Sequence, residues 1–262
     1  MLQQLQIQLI IFLNLNKKIP IKKSWGQNFL IDNNIIKNIL SSIEPSYVDN
    51  FIEIGPGRGA LTIPLSKQCK QLYAIEIDPL LSKYLNDQDI DNLHISNKDI
   101  LKWDPPDETK KYKIIGNLPY NISSPIIFKF LNKNYWDTMI VMVQRELGNR
   151  IIAQPNSKNY SRISIMSQTF CNVEKQFDIS NNVFYPKPEV QSTLIKFSRK
   201  NINLDFNDFS NLIKQAFKQR RKKLKNNLIN LNQHPKLKKY SEYRPENISI
   251  DEYLDIFNNY VF

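Results

Sequence analysis

The chain has 262 residues, with 36 Lys+Arg against 25 Asp+Glu, a net charge of +11, and 41% hydrophobic and 23% charged residues. That balance suits a folded soluble chain with one large domain, or a large and a small one, and excludes the disordered and fibrous classes. Two cysteines cannot build a disulfide framework, which points to a reducing, cytoplasmic setting. The two histidines, His94 and His234, lie far apart without ligand-spaced partners, so no metal is expected, and no apolar run reaches the ~20 residues of a membrane span.

Residues 1–20 read as an N-terminal extension. Its apolar stretch Gln6–Leu15 precedes Lys17 and Lys18, the reverse of a signal peptide, and it carries no arginine. Asp32 can cap a helix whose Ile35, Ile36, Ile39, Leu40 and Ile43 recur at helical spacing. Phe51–Ile54 reads as a short buried strand, with a helix following through Leu61–Lys67. A second strand over Leu72–Ile77 leads to a helix opened by Asp78-Pro79, and His94-Ile95 is a weak third strand. Tyr112–Ile115 is a fourth strand. A helix then runs to Leu131 with Ser124 as its N-cap, and Thr138–Val143 is a fifth strand. Alternation at this pace implies βαβ units and a mostly parallel sheet over residues 21–200. After Ser198 the texture changes: Asp205–Leu231 reads as a basic helix and Ile250–Tyr260 as an amphipathic one, giving a small α-helical C-terminal domain over 201–262.

Only six glycines are present, and Gly55, Gly57 and Gly59 fall within five residues, between the first strand and its helix. Glycines there allow a tight turn and close approach of the backbone to a ligand. Gly55-x-Gly57-x-x-Ala60, with Glu76-x-Asp78 about 20 residues on, fits a dinucleotide fingerprint, while Glu53-x-Gly55-x-Gly57-x-Gly59 fits equally a pattern common in S-adenosylmethionine methyltransferases. Both patterns indicate an adenosine cofactor, and a dehydrogenase remains open on this element alone.

Asn117-Leu118-Pro119-Tyr120 directly follows the fourth strand, at the end of a parallel strand where α/β sheets bind ligands. These residue types suit methylation of an exocyclic amine on a base, whose nitrogen lone pair is delocalised into the ring. An asparagine oxygen and a backbone carbonyl can accept its two N–H bonds and stabilise the developing positive charge. Proline brings no competing N–H, and Tyr120 offers a face for an extruded base.

With these motifs in order, the chain resembles the small-subunit ribosomal RNA adenine N6,N6-dimethyltransferases from about residue 22 to its end. The resemblance rests on Lys23–Leu30 (KSWGQNFL), Ile54–Thr62 (IGPGRGALT), Ala74–Asp78 (AIEID), Lys98–Leu101 (KDIL) and Gly116–Pro125 (GNLPYNISSP). It continues through Met142–Glu146, Phe184–Pro188, Ala216–Leu224 and Arg244–Glu246. It implies a Rossmann-like S-adenosylmethionine-dependent methyltransferase domain of α/β class, with Asn28, Leu30, Gly55, Glu76, Asp99, Ile100 and Asn117 around the cofactor. Glu76 would hold the ribose hydroxyls, and Asp99 with Ile100 would meet the adenine. Asn117, Leu118, Pro119 and Tyr120 would carry the transfer, with Tyr120 and Phe184 sandwiching the target adenine. The implied reaction transfers two methyl groups to each of two adjacent adenines near the 3′ end of small-subunit rRNA, on an immature subunit, by a protein expected to act as a monomer. Gly148, where the family usually has Ala, has no role in this scheme, and Gln191 stands where an acid is common.

Residues 191–262 hold 14 Lys+Arg against 7 Asp+Glu, and Lys218–Lys225 packs six cations into eight residues. Phosphate contacts supply affinity and register, so Arg220, Arg221, Lys222 and Lys223 are the expected RNA contacts. A large-subunit rRNA methyltransferase of the resistance type, or a non-catalytic RNA-binding assembly factor, are the competing readings.

Overall fold

Period-two alternation in the strands sorts their side chains onto the two faces of a sheet, and each face buries its own apolar cluster. The computed structural model describes residues 19–22, 25–229, 231 and 234–260, so the extension expected over residues 1–20 lies outside them as far as residue 18. A two-residue strand β1 (Phe29–Leu30) leads into α1 (Asn33–Ile43). The alternating units follow: β2 (Asn50–Ile54), α2 (Thr62–Ser66), β3 (Gln71–Ile75), α3 (Pro79–Asn86), β4 (Leu93–Ser96), β5 (Tyr112–Asn117), α4 (Ser123–Leu131) and β6 (Trp136–Gln144). The chain then makes α5 (Arg145–Ile151), α6 (Arg162–Phe170), β7 (Cys171–Ile179), β8 (Phe184–Tyr185), β9 (Ser192–Arg199), α7 (Phe206–Ala216) and α8 (Ile250–Asn259).

Seven strands form one sheet in the order β4-β3-β2-β5-β6-β9-β7, and β1 pairs separately with β8. The first five strands are parallel, and β9 is antiparallel to both β6 and β7. Phe51, Ile115, Ile140, Met142 and Leu194 pack on one face with Ile39, Leu40 and Ile43 of α1. Ile52, Ile54, Ile114, Met139, Val141 and Ile195 pack on the other with α4, α5 and α6. The latter cluster runs on without a break into the C-terminal helices, through Phe209, Leu212 and Ile213 of α7 and Tyr253 and Ile256 of α8.

Two local expectations need correction. Ser124 lies inside the first turn of α4, whose preceding residue Ile122 makes no side-chain cap; Ser123 Oγ instead donates back to the Pro119 carbonyl at 2.9 Å. The basic helix expected over Asp205–Leu231 ends at Ala216. The Asn227 side chain donates to the carbonyls of Ala216 (2.8 Å) and Gln219 (3.2 Å), closing the helix end into turns. Six cations on successive helical turns would also repel one another, and the turns spread them. Strands β7 and β9 and helices α5 and α6 escaped the sequence reading, whereas the Asp32 and Asp78 caps form as expected.

Two glycines answer to packing. A Cβ on Gly148 would sit 2.1 Å from Thr193 Cγ2, and Thr193 cannot turn away without losing the bond its hydroxyl donates to the Phe177 carbonyl at 3.1 Å. A Cβ on Gly116 would sit 2.6 Å from the Ile54 carbonyl oxygen of the adjacent strand. Gly116→Ala is therefore expected to lower stability by about 1–3 kcal/mol, read as a lower urea midpoint with an unchanged slope.

Candidate active site

The strand order reverses between β2 and β5, and the carboxyl ends of β2, β3 and β5 open there into a cleft, the general ligand position of such sheets. Gly55, Gly57 and Gly59 adopt φ of 64°, 57° and 82°, the left-handed region that only glycine enters without cost. The Gly57 Cα faces the Phe29 ring so closely that a Cβ would lie 3.1 Å from it.

The N-terminal arm forms the opposite wall. Trp25, Gly26, Gln27, Asn28 and Phe29 all line the cleft. Its anchor is Asp78, fully buried at the start of α3, which accepts from Lys22 Nζ at 2.9 Å and from Gln27 Nε2 at 2.9 Å. Burial pushes the Asp78 carboxyl up, but these two donors and the Leu80 amide outweigh it and hold it below the usual range.

Of the expected cofactor residues, Asn28, Gly55, Glu76, Asp99, Ile100 and Asn117 line this cleft together. Glu76 is buried, and its oxygens accept from the amides of Gly57 (3.0 Å) and Asp78 (2.9 Å), which fixes the carboxylate between the glycine loop and β3. Burial raises its pKa and the amide bonds oppose the rise. One Asp99 oxygen caps the short 3₁₀ turn at Ile100–Lys102, accepting from Leu101 N at 2.9 Å. Asn117 Nδ2 donates to the Asn28 carbonyl at 2.8 Å, while its Oδ1 is buried without a hydrogen-bond partner. Tyr120 lines the same cleft, its hydroxyl bonded to Ser192 Oγ at 2.7 Å. The Pro119 carbonyl is taken by Ser123 Oγ and Ile122 N, which leaves the carbonyl of Leu118 as the one beside Asn117 for an incoming donor.

Two expected residues are placed elsewhere. Leu30 lines a smaller recess behind the glycine loop, with Glu53, Arg58 and Met142, that meets the cleft at Asn28, Gly55 and Asn117. Phe184 is only 2% exposed and packs with Leu30 in the α1-side core, so its ring does not reach the cleft. The cause is the β1–β8 pairing, which sets Phe184 opposite Leu30 and turns both inward. The exposed aromatic at that corner is its neighbour, Tyr185.

Sequence reasoning gave no role to Gln27 or Ser192, no anchoring role to Asp78 beyond its helix start and its place after Glu76, and no titrating role to Glu53. Gln27 lay within a motif, and Glu53 opened the glycine pattern, but Ser192 carries no local signal because its partner is 72 residues away. The Glu53 carboxyl is fully buried, and burial, with the nearby Glu76 adding to it, pushes its pKa up to about 8.

The basic block is partly engaged within the chain. Arg220 donates to the Lys158 carbonyl at 2.7 Å and pairs with Glu246, and Lys223 pairs with Glu242 together with Lys225. Arg221 and Lys222 are exposed or half-exposed on the turn between these pairs. Among the described residues no group of three or more His, Cys, Asp or Glu could hold a metal, and no helix is long and apolar enough to cross a membrane.

The set fits an adenosine-bearing sulfonium ligand: a fixed carboxylate for ribose hydroxyls, apolar Ile77, Ile100 and Ile122 for a purine, and an unsatisfied oxygen on Asn117, which lines the same cleft. Fold and site together define a Rossmann-like methyltransferase. A family model described as ribosomal RNA adenine dimethylase matches residues 19–261, and the chain belongs to that family. It is 42% identical over 251 residues to ribosomal RNA small subunit methyltransferase A of Borreliella afzelii (strain PKo), covering 92% of this chain and 89% of that protein. It is 44% identical over 260 residues to the protein of the same name in Wigglesworthia glossinidia brevipalpis, covering 92% and 98%. Among solved structures it is similar to a dimethyladenosine transferase from Plasmodium falciparum, with a TM-score of 0.76, 25% identity and coverage of 87% and 95%. The 23S rRNA methyltransferase ErmE shares the fold, with a TM-score of 0.67, 21% identity and coverage of 88% and 98%.

Glu53 yields a stability test. A carboxyl whose folded pKa lies near 8, against 4.5 when unperturbed, binds more protons folded than unfolded between those values. Its contribution therefore falls as pH rises through that window. Glu53→Gln should flatten the decline in unfolding free energy between pH 5 and 8, measured by urea titration at each pH.

Proposed function

We propose that the protein uses S-adenosylmethionine to dimethylate the N6 amines of two adjacent adenines near the 3′ end of small-subunit rRNA, on the immature subunit. The observation that carries this reading is the buried, unpartnered Oδ1 of Asn117, a residue that lines the cleft. The names of the relatives support the choice of subunit.

The bound cofactor supplies an electrophilic methyl group. The chain's residues prepare the acceptor. Because Asn117 Nδ2 is held by the Asn28 carbonyl, the amide oxygen is the end left for a ligand donor. That oxygen and the Leu118 carbonyl can accept the two N–H bonds of an adenine N6 amine, drawing its lone pair out of conjugation with the ring. The same two oxygens stabilise positive charge as it develops on nitrogen. Tyr120, steadied by Ser192, supplies a stacking face for the extruded base. The ring is a neutral phenol there, since burial raises its pKa. Glu76 orients the ribose through its free lone pairs, with the Gly57 and Asp78 amides preventing it from turning away.

RNA docking falls to the basic turn after α7. Surface ion pairs are worth about 0–1 kcal/mol, so phosphates can displace Glu242 and Glu246 from Lys223, Lys225 and Arg220, while Arg221 and Lys222 meet RNA directly.

Labelled S-adenosylmethionine incubated with undermethylated small subunits should place label on adenines near the 3′ end of their rRNA; label on large-subunit rRNA would overturn the subunit assignment. Asn117→Ala should lower the rate by about 10²–10³ while subunit binding persists, and full activity in that variant would refute the role of its oxygen. Replacing Arg221 and Lys222 by Ala should weaken subunit binding and reduce the slope of log K against log salt by roughly one to two. Cofactor affinity should not change.

A further inference from the structure

The basic turn after α7 has an aromatic neighbour. Leu224 N donates to the Tyr243 carbonyl at 2.7 Å, and Lys225 N to the Ser241 carbonyl at 3.2 Å, so residues 241–243 run alongside the cation-rich turn. Leu224 and Ser241 are buried, and Pro245 is held by Tyr253, whose hydroxyl donates to its carbonyl at 2.8 Å. The backbone on both sides of Tyr243 is thereby fixed, yet Tyr243 itself is 53% exposed. Among the described residues its side chain makes no hydrogen bond and no ring contact.

Charge on these two adjoining segments is unevenly matched. Their acidic side chains, Glu242 and Glu246, are already faced by cations of the turn, Glu242 by Lys223 and Lys225 and Glu246 by Arg220. Arg221 and Lys222 of the turn and Arg244, which follows Tyr243, are exposed, and none of the three has an acidic partner among the described residues. The exposed ring therefore stands beside three cations that no carboxylate of the chain neutralises.

A lone exposed apolar side chain is ordinary at a protein surface. A ring on a fixed backbone, set among unpaired cations, is the arrangement that holds single-stranded nucleic acid, with a base stacked on the ring and phosphates on the basic groups. We infer that Tyr243 is a stacking platform for an unpaired RNA base at the docking surface, with Arg221, Lys222 and Arg244 receiving the flanking phosphates. This rests on the proposed action on RNA and deepens it by naming what docks: a loop or bulge with an unstacked base. Cations alone carry no sequence or strand preference, because every phosphate backbone satisfies them. A ring that needs an open base face is not satisfied by a duplex, whose base faces are covered by their neighbours, so the turn itself contributes to the choice among RNA segments.

The test measures the affinity of wild type, Tyr243→Phe, Tyr243→Leu and Tyr243→Ala for undermethylated small subunits over a series of salt concentrations, with a urea titration of each protein. Stacking requires an aromatic face and neither charge nor hydroxyl, so Tyr243→Phe should bind as wild type. Tyr243→Leu and Tyr243→Ala should each bind about tenfold more weakly, the lower part of the range for one stacked base. The slope of log K against log salt should stay unchanged in both, which separates the ring from the cations beside it. Because the ring is exposed, the urea midpoint should not move. The leucine variant retains apolar bulk, so wild-type affinity there would assign Tyr243 to an apolar contact with protein and overturn the proposal. Unchanged affinity in Tyr243→Ala would overturn it equally, and so would a loss of affinity accompanied by a lowered urea midpoint, which would assign the ring to packing. Failure of the wild-type protein to bind and methylate the subunit would instead strike the proposed function, so the two failures are distinguishable.

Discussion

The amide of Asn117 is the constraint around which the site is organised. Its nitrogen end is bonded to the Asn28 carbonyl, tying the N-terminal arm to the end of β5, and its oxygen end is left buried and open. On the proposed reading, that oxygen is the acceptor for a ligand donor. A buried amide oxygen without a partner costs about 1–3 kcal/mol, and that cost is relieved when a ligand N–H arrives. The geometry around it follows from the same requirement. Gly55 lies beside the end of β5, where its φ of 64°, not crowding, calls for glycine, since a Cβ would make only an ordinary contact, 3.7 Å from the Asn117 carbonyl. Pro119 has its carbonyl engaged by the first turn of α4, which fixes the bend that presents Leu118 and Tyr120.

Three carboxyls at the cleft and beneath its glycine loop differ in environment. Asp78 is held ionised by Lys22 and Gln27 and serves as the anchor for the arm. Glu76 is braced by two amides and keeps lone pairs toward the ligand. Glu53 lies deeper, beneath the glycine loop, and takes a proton at neutral pH because burial outweighs its polar contacts. Burial raises the Glu53 and Glu76 carboxyls while donors lower that of Asp78, so the three differ by environment and not by residue type.

The α/β half was legible where strands are apolar and helices carry explicit caps, as at Asp32 and Asp78, and where glycines are so scarce that three together mark a loop of positive φ. The Asn117–Tyr120 element and Glu76 could be placed from spacing alone, because each sits at the carboxyl end of a readable strand. What escaped was non-local. Strand β7 shows a mixed, half-exposed pattern because it is an edge strand, and β1 and β8 are two residues each and exist only by pairing across more than 150 residues of sequence. That pairing decides which of Phe184 and Tyr185 faces outward, and local sequence cannot tell neighbouring aromatics apart. Gly148 likewise looked idle until Thr193, 45 residues away, proved to occupy the space of its missing methyl.

The basic C-terminal segment shows how tertiary context converts a charge run into a surface. As a continuous helix, Lys218–Lys225 would wrap its cations around all sides of the cylinder. Termination at Ala216, imposed by Asn227, lays them instead along turns that face Glu242 and Glu246 on one side and solvent on the other. The paired lysines and arginine are held by carboxylates that, on the proposed reading, stand where phosphates would. Their exchange for phosphate replaces one anion by another of similar geometry and so demands little reorganisation of the chain. Since the apolar cluster beneath this segment is continuous with the one beneath α4 and β5, the turn is fixed in register with the cleft. On the proposed reading, a phosphate backbone held on the basic turn would be presented at a set distance from Asn117, and selection of the target base would become a matter of RNA shape measured between those two points.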